Sequence, residues 1–207
     1  MASAAHTPPR VLVRAHHIRS GETQEIPLAH GVDRIEPMAR DAVIVGVEGS
    51  DLHLTALALD PDVARTAGHY VRPNAAQGET RSHGFFYLPS GDRQGTLGLP
   101  LRRGGSRGWR QLTEGSAEVM FLRVRGLEFS PFGSLVAHPP PPGFNDRCVA
   151  SCMDWYGNAR PIFYRGRIFA LLGYELVEGA PDGDTLRERA RANYYDALRD
   201  DLTAPAP

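Results

Sequence analysis

An arginine-rich stretch around a tryptophan is the strongest candidate binding site in the sequence. The run R-R-G-G-S-R-G-W-R spans residues 102–110. Guanidinium groups form bidentate hydrogen bonds with carboxylates and phosphates, and an indole stacks on flat groups. We therefore predict a loop that binds an anion, an acidic partner or a nucleic-acid backbone; a solvated surface loop is the alternative. The candidate residues are Arg102, Arg103, Arg107, Trp109 and Arg110.

A second candidate is a polar loop next to two aromatic residues. Asp146, Asp154 and Asn158 lie close in sequence to Trp155 and Tyr156. Carboxylate and amide oxygens are suitable ligands for a hard cation such as Ca²⁺. The same residue types also cap backbone groups in ordinary turns. We predict a ligand or partner contact here, with Ca²⁺ as the one cofactor that the loop would suit.

The two cysteines, Cys148 and Cys152, are four positions apart. On a helical turn they would face the same side, close enough to pair. In an oxidising compartment this spacing indicates a local disulfide, and in the cytoplasm it indicates two reduced thiols. A metal or redox role is a third reading, but it would require further ligands and His138 is the only histidine nearby in sequence.

The histidines form no convincing catalytic or metal-binding motif. Neighbouring strand residues point to opposite faces, so His16 and His17 are poorly placed to share a metal ion. Ser82 precedes His83, but adjacency supplies neither the geometry nor the orienting acid of a nucleophilic dyad. We therefore assign no catalytic residue and no metal ligand, and the sequence favours a binding role while leaving an enzymatic one open.

The overall composition favours one globular domain made of short strands. At 207 residues the chain is long enough to bury a substantial core, and its 22 glycines and 17 prolines interrupt it too often for a helical bundle. The net charge of −1 gives no field that would attract nucleic acid or an anionic membrane. No apolar run approaches the roughly 18 residues of a membrane span. We expect residues 1–10 to be a flexible lead-in without signal-peptide features.

A tight hairpin near the C-terminus is the clearest structural unit in the sequence. Apolar residues at 161–164 and 168–172 flank Arg165-Gly166-Arg167. Residues 86–99 repeat this pattern, and residues 40–46 form a weaker copy. Repeats of about 40–50 residues with four strands each are typical of propeller blades. Residues 11–179 are therefore predicted to form an all-β, propeller-like array of about three to four four-stranded antiparallel units.

The C-terminal part has a different pattern, and we predict one amphipathic helix within residues 180–207. The segment 184–202 has a capping-box pattern at Thr185 and Glu188, followed by an apolar stripe at helical spacing. The stripe comprises Leu186, Ala190, Tyr194, either Ala197 or Leu198, and Leu202. The helix is expected to lie on the sheets or on another chain, and residues 203–207 are expected to be a loose tail.

Several segments resemble the last blades of bacterial secreted proteins with a C-terminal β-propeller domain. The matching segments are S-H-G-F-F-Y-L at 82–88, L-G-L-P-L at 97–101, V-M-F-L-R-V at 119–124 and R-P-I-F with R-I-F-A-L within 160–171. They cover about half of the chain. The resemblance implies a ring of antiparallel sheets and an extracellular or periplasmic location, and it provides no common catalytic residues. Since a propeller contains at least about four blades, the resemblance implies a C-terminal portion of a propeller, an unusually small closed ring, or an assembly that closes between subunits. The strand pair within 11–30 would complete the last blade by strand exchange.

These observations favour a non-catalytic module that presents loops to a protein or polymer partner, or to another copy of itself. One alternative is a hydrolase or lyase whose site lies at the propeller mouth and includes Asp146, Asp154 and histidines. A second alternative is an accessory subunit that docks through the C-terminal helix. An enzyme should gather its polar residues in one pocket with shifted pKa values, whereas a binding module should disperse them.

Overall fold

The computed structural model describes residues 11–103, 117–139, 141–142 and 159–195. This part of the chain forms fifteen β-strands and one short 3-10 turn at Ser82–Gly84. None of its helical segments has the length and apolar character needed to cross a membrane. The strands are β1 (Val11–His16), β2 (Thr23–Leu28), β3 (Arg34–Met38), β4 (Asp41–Glu48), β5 (Asp51–Leu59), β6 (Ala64–Arg72), β7 (Ala75–Gln77), β8 (Phe86–Gly91), β9 (Gln94–Arg103), β10 (Ala117–Arg125), β11 (Glu128–Val136), β12 (Ala159–Tyr164), β13 (Arg167–Leu172), β14 (Glu175–Asp182) and β15 (Thr185–Asn193).

The strands form four antiparallel sheets that follow one another along the chain. Sheet A contains β1 and β2, sheet B has the order β3-β4-β5-β6, and sheet D has the order β12-β13-β14-β15. In sheet C, the order β11-β10-β9 continues with β7 and β8, which pair with different parts of β9. The prediction of an all-β chain built from repeated antiparallel strand units is therefore confirmed, with sheets of two to five strands.

Successive sheets pack face to face, and this explains why their central strands are apolar on both sides. In β4, Val43 and Val45 join the core between sheets B and C, whereas Ile44 joins the core between sheets A and B. In β10, Leu122 faces sheet B and Phe121 faces sheet D. Strands buried on both faces have nearly continuous apolar sequences such as A-V-I-V and V-M-F-L, because no face is left for polar side chains.

Sheets B, C and D are copies of one structural unit. Each has a register shift between its third and fourth strands, and each closes with a backbone hydrogen bond from just beyond the fourth strand to the start of the third. The shifts lie at Thr55/Leu57, Phe121/Leu122 and Glu178/Gly179. The closing bonds run from the N–H groups of Ala75, Ala137 and Tyr194 to the carbonyl groups of Ser50, Ala117 and Tyr174.

Buried carboxylates at the start of the third strands connect neighbouring sheets. Glu118 of sheet C accepts a hydrogen bond from Arg72 of sheet B at 3.3 Å. Glu175 of sheet D accepts a hydrogen bond from the backbone N–H of His138, just beyond sheet C, at 2.8 Å. Arg191 donates a second bond to Glu175 at 2.6 Å. Because these bonds satisfy buried charges, they also fix how each sheet sits on the next.

Sheet A occupies the place that the third and fourth strands of another such sheet would take. The fourth strand of each sheet touches the next sheet at or near the turn between its third and fourth strands. Gly68 of β6 lies against the Leu127 carbonyl, where a Cβ atom would approach to 2.1 Å. Gly133 of β11 lies against Leu186 in the same way. In β2, Gln24 accepts a hydrogen bond from the N–H of Ala64 at 2.6 Å, next to the turn between β5 and β6. β2 therefore corresponds to a fourth strand and β1 to a third.

The predicted C-terminal helix is wrong for residues 185–193, which form strand β15. The Thr185 hydroxyl donates to the carbonyl of Asp182 across the hairpin turn, at 2.9 Å, and so does not cap a helix. Leu186 enters the core between sheets C and D. The exposed edge of β14 offers backbone partners along the whole segment, which overrides its helical propensity. The expected boundary at residue 180 falls inside β14, and the segment beyond residue 195 lies outside the described residues.

Candidate functional site

Most of the predicted site residues lie outside the described part of the chain. Arg102 and Arg103 are exceptions, and both belong to strand β9 rather than to a loop. Arg102 is half-buried and pairs with Ala117 and Ala76. For the remaining residues the assignments stay predictions: Arg107, Trp109, Arg110, Asp146, Cys148, Cys152, Asp154, Trp155, Tyr156 and Asn158.

His16 and His17 border the same cavity, although strand alternation predicted opposite directions. The cavity has a volume of about 300 Å³ and lies between sheet A and the turn that joins β5 to β6. His17 follows the end of β1, so the alternation of the strand no longer governs it. Its Nδ1 atom lies 2.7 Å from the Ser20 hydroxyl, and the Nδ1 atom of His16 lies 3.0 Å from the Thr23 hydroxyl.

His83 is associated with a carboxylate and not with the adjacent serine. Its Nε2 atom lies 3.5 Å from Glu79, and the pair spans the 3-10 turn. Burial raises the pKa of Glu79, but hydrogen bonds from Arg81 outweigh it and hold the pKa below its usual range. The arrangement is a local ion-pair network that stabilises the turn before β8.

Three histidines that are distant in sequence form a stack on the face of sheet B that is turned toward sheet A. The ring centroids of His30, His53 and His69 are 5.1 to 5.9 Å apart. The Nδ1 atom of His30 lies 2.7 Å from the Gly31 carbonyl, and its Nε2 atom lies 2.8 Å from the Thr55 hydroxyl. A neutral ring satisfies both contacts: Nδ1–H donates to Gly31, and Nε2 accepts from Thr55. Sequence reasoning missed this stack, because only strand pairing brings the rings together.

The His30–Thr55 contact resembles a nucleophile and its base, but its burial argues for a structural role. His30 is 1% exposed and Thr55 is 6% exposed, so a substrate has no access to the hydroxyl. Burial lowers the pKa of His30, against an opposing hydrogen bond to Gly31, and the neighbouring His53 lowers it further. Asp33 and Glu48 oppose this shift. Burial also lowers the pKa of His69, with added effects from His53 and His30.

We expect the stack to make stability dependent on pH. The free energy of unfolding should decrease as the pH falls from 7.5 to 5.5, because burial holds the pKa of His30 in the fold below the ordinary histidine pKa of about 6.5, so that the unfolded chain binds more protons in this range. The slope attributable to His30 is at most about 1.4 kcal/mol per pH unit. Urea denaturation at stepped pH measures it. His30→Gln should flatten the slope and the exposed His16→Gln should not; an unchanged slope in His30→Gln would contradict this explanation.

The other carboxylates with lowered pKa values belong to separate ion pairs. Asp41 lies in sheet B, and Glu178 and Glu188 lie in sheet D. Arg93 holds the pKa of the buried Asp41 below its usual range despite the opposing effect of burial. A hydrogen bond from Arg167 lowers the pKa of Glu178, and one from Arg191 lowers that of Glu188. Within the described ranges, no group of three His, Cys, Asp or Glu side chains is arranged to hold a metal ion. These charges are dispersed over the molecule and do not converge on one pocket.

The open edge strands of sheets C and D carry three of the exposed apolar side chains. Phe86 and Leu88 of β8 are 43% and 45% exposed, and Tyr164 of β12 is 56% exposed. Among the described strands, β8 pairs only with β9 and β12 only with β13, and β8 and β12 contact each other. We call Phe86, Leu88 and Tyr164 the edge surface. Apolar side chains beside unpaired backbone groups are typical of interaction sites.

The described residues define an all-β protein made of repeated antiparallel sheets of two to five strands. No family model matches its sequence, and no curated protein matches it. Its function therefore has to be inferred from the geometry of the described residues.

Proposed function

We propose that the chain is a non-catalytic, propeller-like module that binds a protein partner through the edge surface. The observation that carries this proposal is that the exposed residues Phe86, Leu88 and Tyr164 lie on two open edge strands that contact each other. Large apolar groups beside unpaired strand edges favour association with another chain. Burial of these groups against a partner would remove apolar surface from water, at about 25 cal/mol per Å².

The contacts between sheets support a propeller-like arrangement. The first strands contact one another, β3 with β8 and β8 with β12, and the fourth strands do the same, β6 with β11 and β11 with β15. Sheets that keep equivalent strands adjacent in this way resemble blades set around an axis. The resemblance to the propeller domains of bacterial secreted proteins agrees with this proposal. In that arrangement, the open edges of the first strands, and with them the edge surface, would face the central axis.

The dispersion of ionisable groups supports a binding role over the hydrolase or lyase alternative. In the described residues, the shifted carboxylates are held by arginines within sheets or between neighbouring sheets, and the histidine stack is closed to solvent at His30. An active site would require several such groups at one accessible position. The structure gives each of them a stabilising partner instead.

The test is charge substitution on the edge surface. A tagged chain that carries Phe86→Glu and Leu88→Glu should lose at least about tenfold of its stoichiometric partner in cross-linking and co-purification, since charges at a buried contact prevent association. The matched control, Leu59→Glu with Val63→Glu, changes two similarly exposed residues at the turn between β5 and β6. Light scattering identifies the case in which the partner is a second copy. Equal recovery with both double variants, at equal melting temperature, would rule out the proposal.

A further inference from the structure

Sheets C and D each have a polar contact between their third and fourth strands, just before the register shift. In sheet C, the Ser134 hydroxyl donates to Glu118, and in sheet D, Arg191 donates to Glu175 at 2.6 Å. In both sheets, the donor on the fourth strand pairs with the residue two positions after the carboxylate. Both carboxylates are buried, and a carboxylate and a donor satisfy each other. These two contacts are therefore structural.

Sheet B has two histidines at the corresponding place. His69 pairs with Thr55, two positions after His53, and the Nδ1 atom of His53 lies 3.0 Å from the Nε2 atom of His69. His53 is half-buried and His69 is exposed, so dissolved ions reach this pair more readily than the buried carboxylates. Neutral imidazole is also the commonest metal ligand in proteins. We propose that His53 and His69 together bind a divalent transition-metal ion, with Cu²⁺ bound most tightly.

The distance between the two nitrogens suits one ion with imidazoles at adjacent corners of its coordination sphere. Imidazole nitrogens bind Zn²⁺ at about 2.0–2.1 Å, so two of them at right angles around an ion of that size are about 2.8–3.0 Å apart. A tetrahedral angle would require about 3.3–3.4 Å. Right angles are typical of square-planar and tetragonal sites, which Cu²⁺ and Ni²⁺ prefer. Of the divalent first-row metals, Cu²⁺ binds nitrogen ligands most tightly.

The protons of the pair can be arranged so that metal binding releases none of them. Each neutral ring has one N–H group and one nitrogen lone pair. When the protons are on Nε2 of His53 and on Nδ1 of His69, both facing nitrogens carry lone pairs. These lone pairs repel each other, and a cation bound to both removes the repulsion. Rotation of the rings about their Cβ–Cγ bonds would direct both lone pairs at the ion.

The surroundings favour a cation bound by two side chains of the chain. Glu48 lies on the same face of sheet B as His53, and Glu48 and Asp33 place negative charge near the neighbouring His30. His30 is not a third ligand, because both of its ring nitrogens already make hydrogen bonds. Water would take the remaining positions and leave the ion exchangeable. This inference goes beyond the proposed function, because it concerns another surface and another kind of ligand.

The experiment titrates the full chain, without a histidine tag, with Cu²⁺ in the presence of glycine as a weak competing chelator. Calorimetry measures affinity and stoichiometry, and electron paramagnetic resonance counts the imidazoles bound to Cu²⁺. The variants are His53→Asn and His69→Asn, and the matched control is His16→Asn. His16 is also an exposed strand residue, and its Nδ1 atom lies 3.0 Å from the Thr23 hydroxyl across the strands, a similar contact without a second imidazole.

We expect one tightly bound Cu²⁺ per chain, two coordinated imidazoles, and at least about tenfold weaker binding in His53→Asn and in His69→Asn, because each loses one of the two ligands. The His16 control should bind as the unmodified chain does. Melting temperatures without metal show whether the variants fold. If they do not, nuclear magnetic resonance of the unmodified chain decides, since Cu²⁺ should broaden the imidazole signals of His53 and His69 first.

Absence of Cu²⁺ binding, a single coordinated imidazole, equal affinity in the folded variants and the control, or broadening centred on other histidines would overturn the inference. Phe86→Glu with Leu88→Glu should bind Cu²⁺ normally, so this result and the test of the edge surface are independent.

Discussion

Substitution of Gly46 by valine is expected to abolish cooperative folding. A Cβ atom at this position would lie 1.8 Å from the carbonyl oxygen of Gly31, which is backbone and has no rotamer to relieve the clash. Gly31 lies in the connection from β2 to β3, where its N–H donates to the Val47 carbonyl at 3.0 Å. The connection crosses β4 at this point, so relief of the clash would separate sheet A from sheet B.

We expect the Gly46→Val substitution to cost at least about 4 kcal/mol of unfolding free energy, among the largest effects of single substitutions. Urea denaturation followed by circular dichroism measures the loss. The matched control is Gly91→Ala, because the nearest atoms to a Cβ at Gly91 are 3.7 Å away, in ordinary contact. A Gly46→Val protein as stable as the Gly91 control would show that the connection takes another path.

Substitution of Arg191 by alanine is the second large effect that we expect. The Arg191 guanidinium is nearly buried, and it donates to Glu175 at 2.6 Å, to Glu188 at 2.7 Å and to the Val136 carbonyl at 2.9 Å. The carboxylate of Glu175 is buried as well. Arg191→Ala would leave that charge without its cationic partner, which costs roughly 3–5 kcal/mol in buried pairs.

The control for this prediction is Arg189→Ala, two residues earlier in β15. The Arg189 side chain is 66% exposed and lies 3.5 Å from Glu178, so its loss should cost at most about 1 kcal/mol. Adding Glu175→Gln to Arg191→Ala should recover part of the stability, because it removes the unpaired charge. Equal effects of the two arginine substitutions in urea denaturation would contradict the buried role of Arg191.

The same segment shows why the sequence predicted the strands better than it predicted the C-terminal part. The hairpin at 161–172 was recognisable because apolar arms and a Gly turn are local signals, and the structure has β12 and β13 there. In β15, Arg187 forms an ion pair with Asp182 and Arg191 forms one with Glu175. Both carboxylates lie on β14, and no local sequence pattern reveals these pairings. The apolar spacing that predicted a helix is therefore also compatible with a strand whose arginines pair with carboxylates on its neighbour.

The candidate sites depended even more on long-range contacts. The histidine stack combines residues 30, 53 and 69, and it became visible only with the pairing of β5 and β6. The edge surface likewise could not be recognised from residue types, because Phe86 and Leu88 are residues that usually lie in a core. It is apparent only from the strand order, which leaves one side of β8 without a paired strand among the described residues. Composition and motif searches emphasise unusual residues, whereas these surfaces consist of common residues in unusual positions.

The stacking of sheets A to D also determines how stability is distributed along the chain. Separate apolar cores join A to B, B to C and C to D. Release of an end sheet breaks one of these cores, whereas release of an inner sheet breaks two. In such a linear array, local opening begins at the ends and the centre opens last. Sheet A, with only two strands, is therefore the end of the described stack where opening should begin.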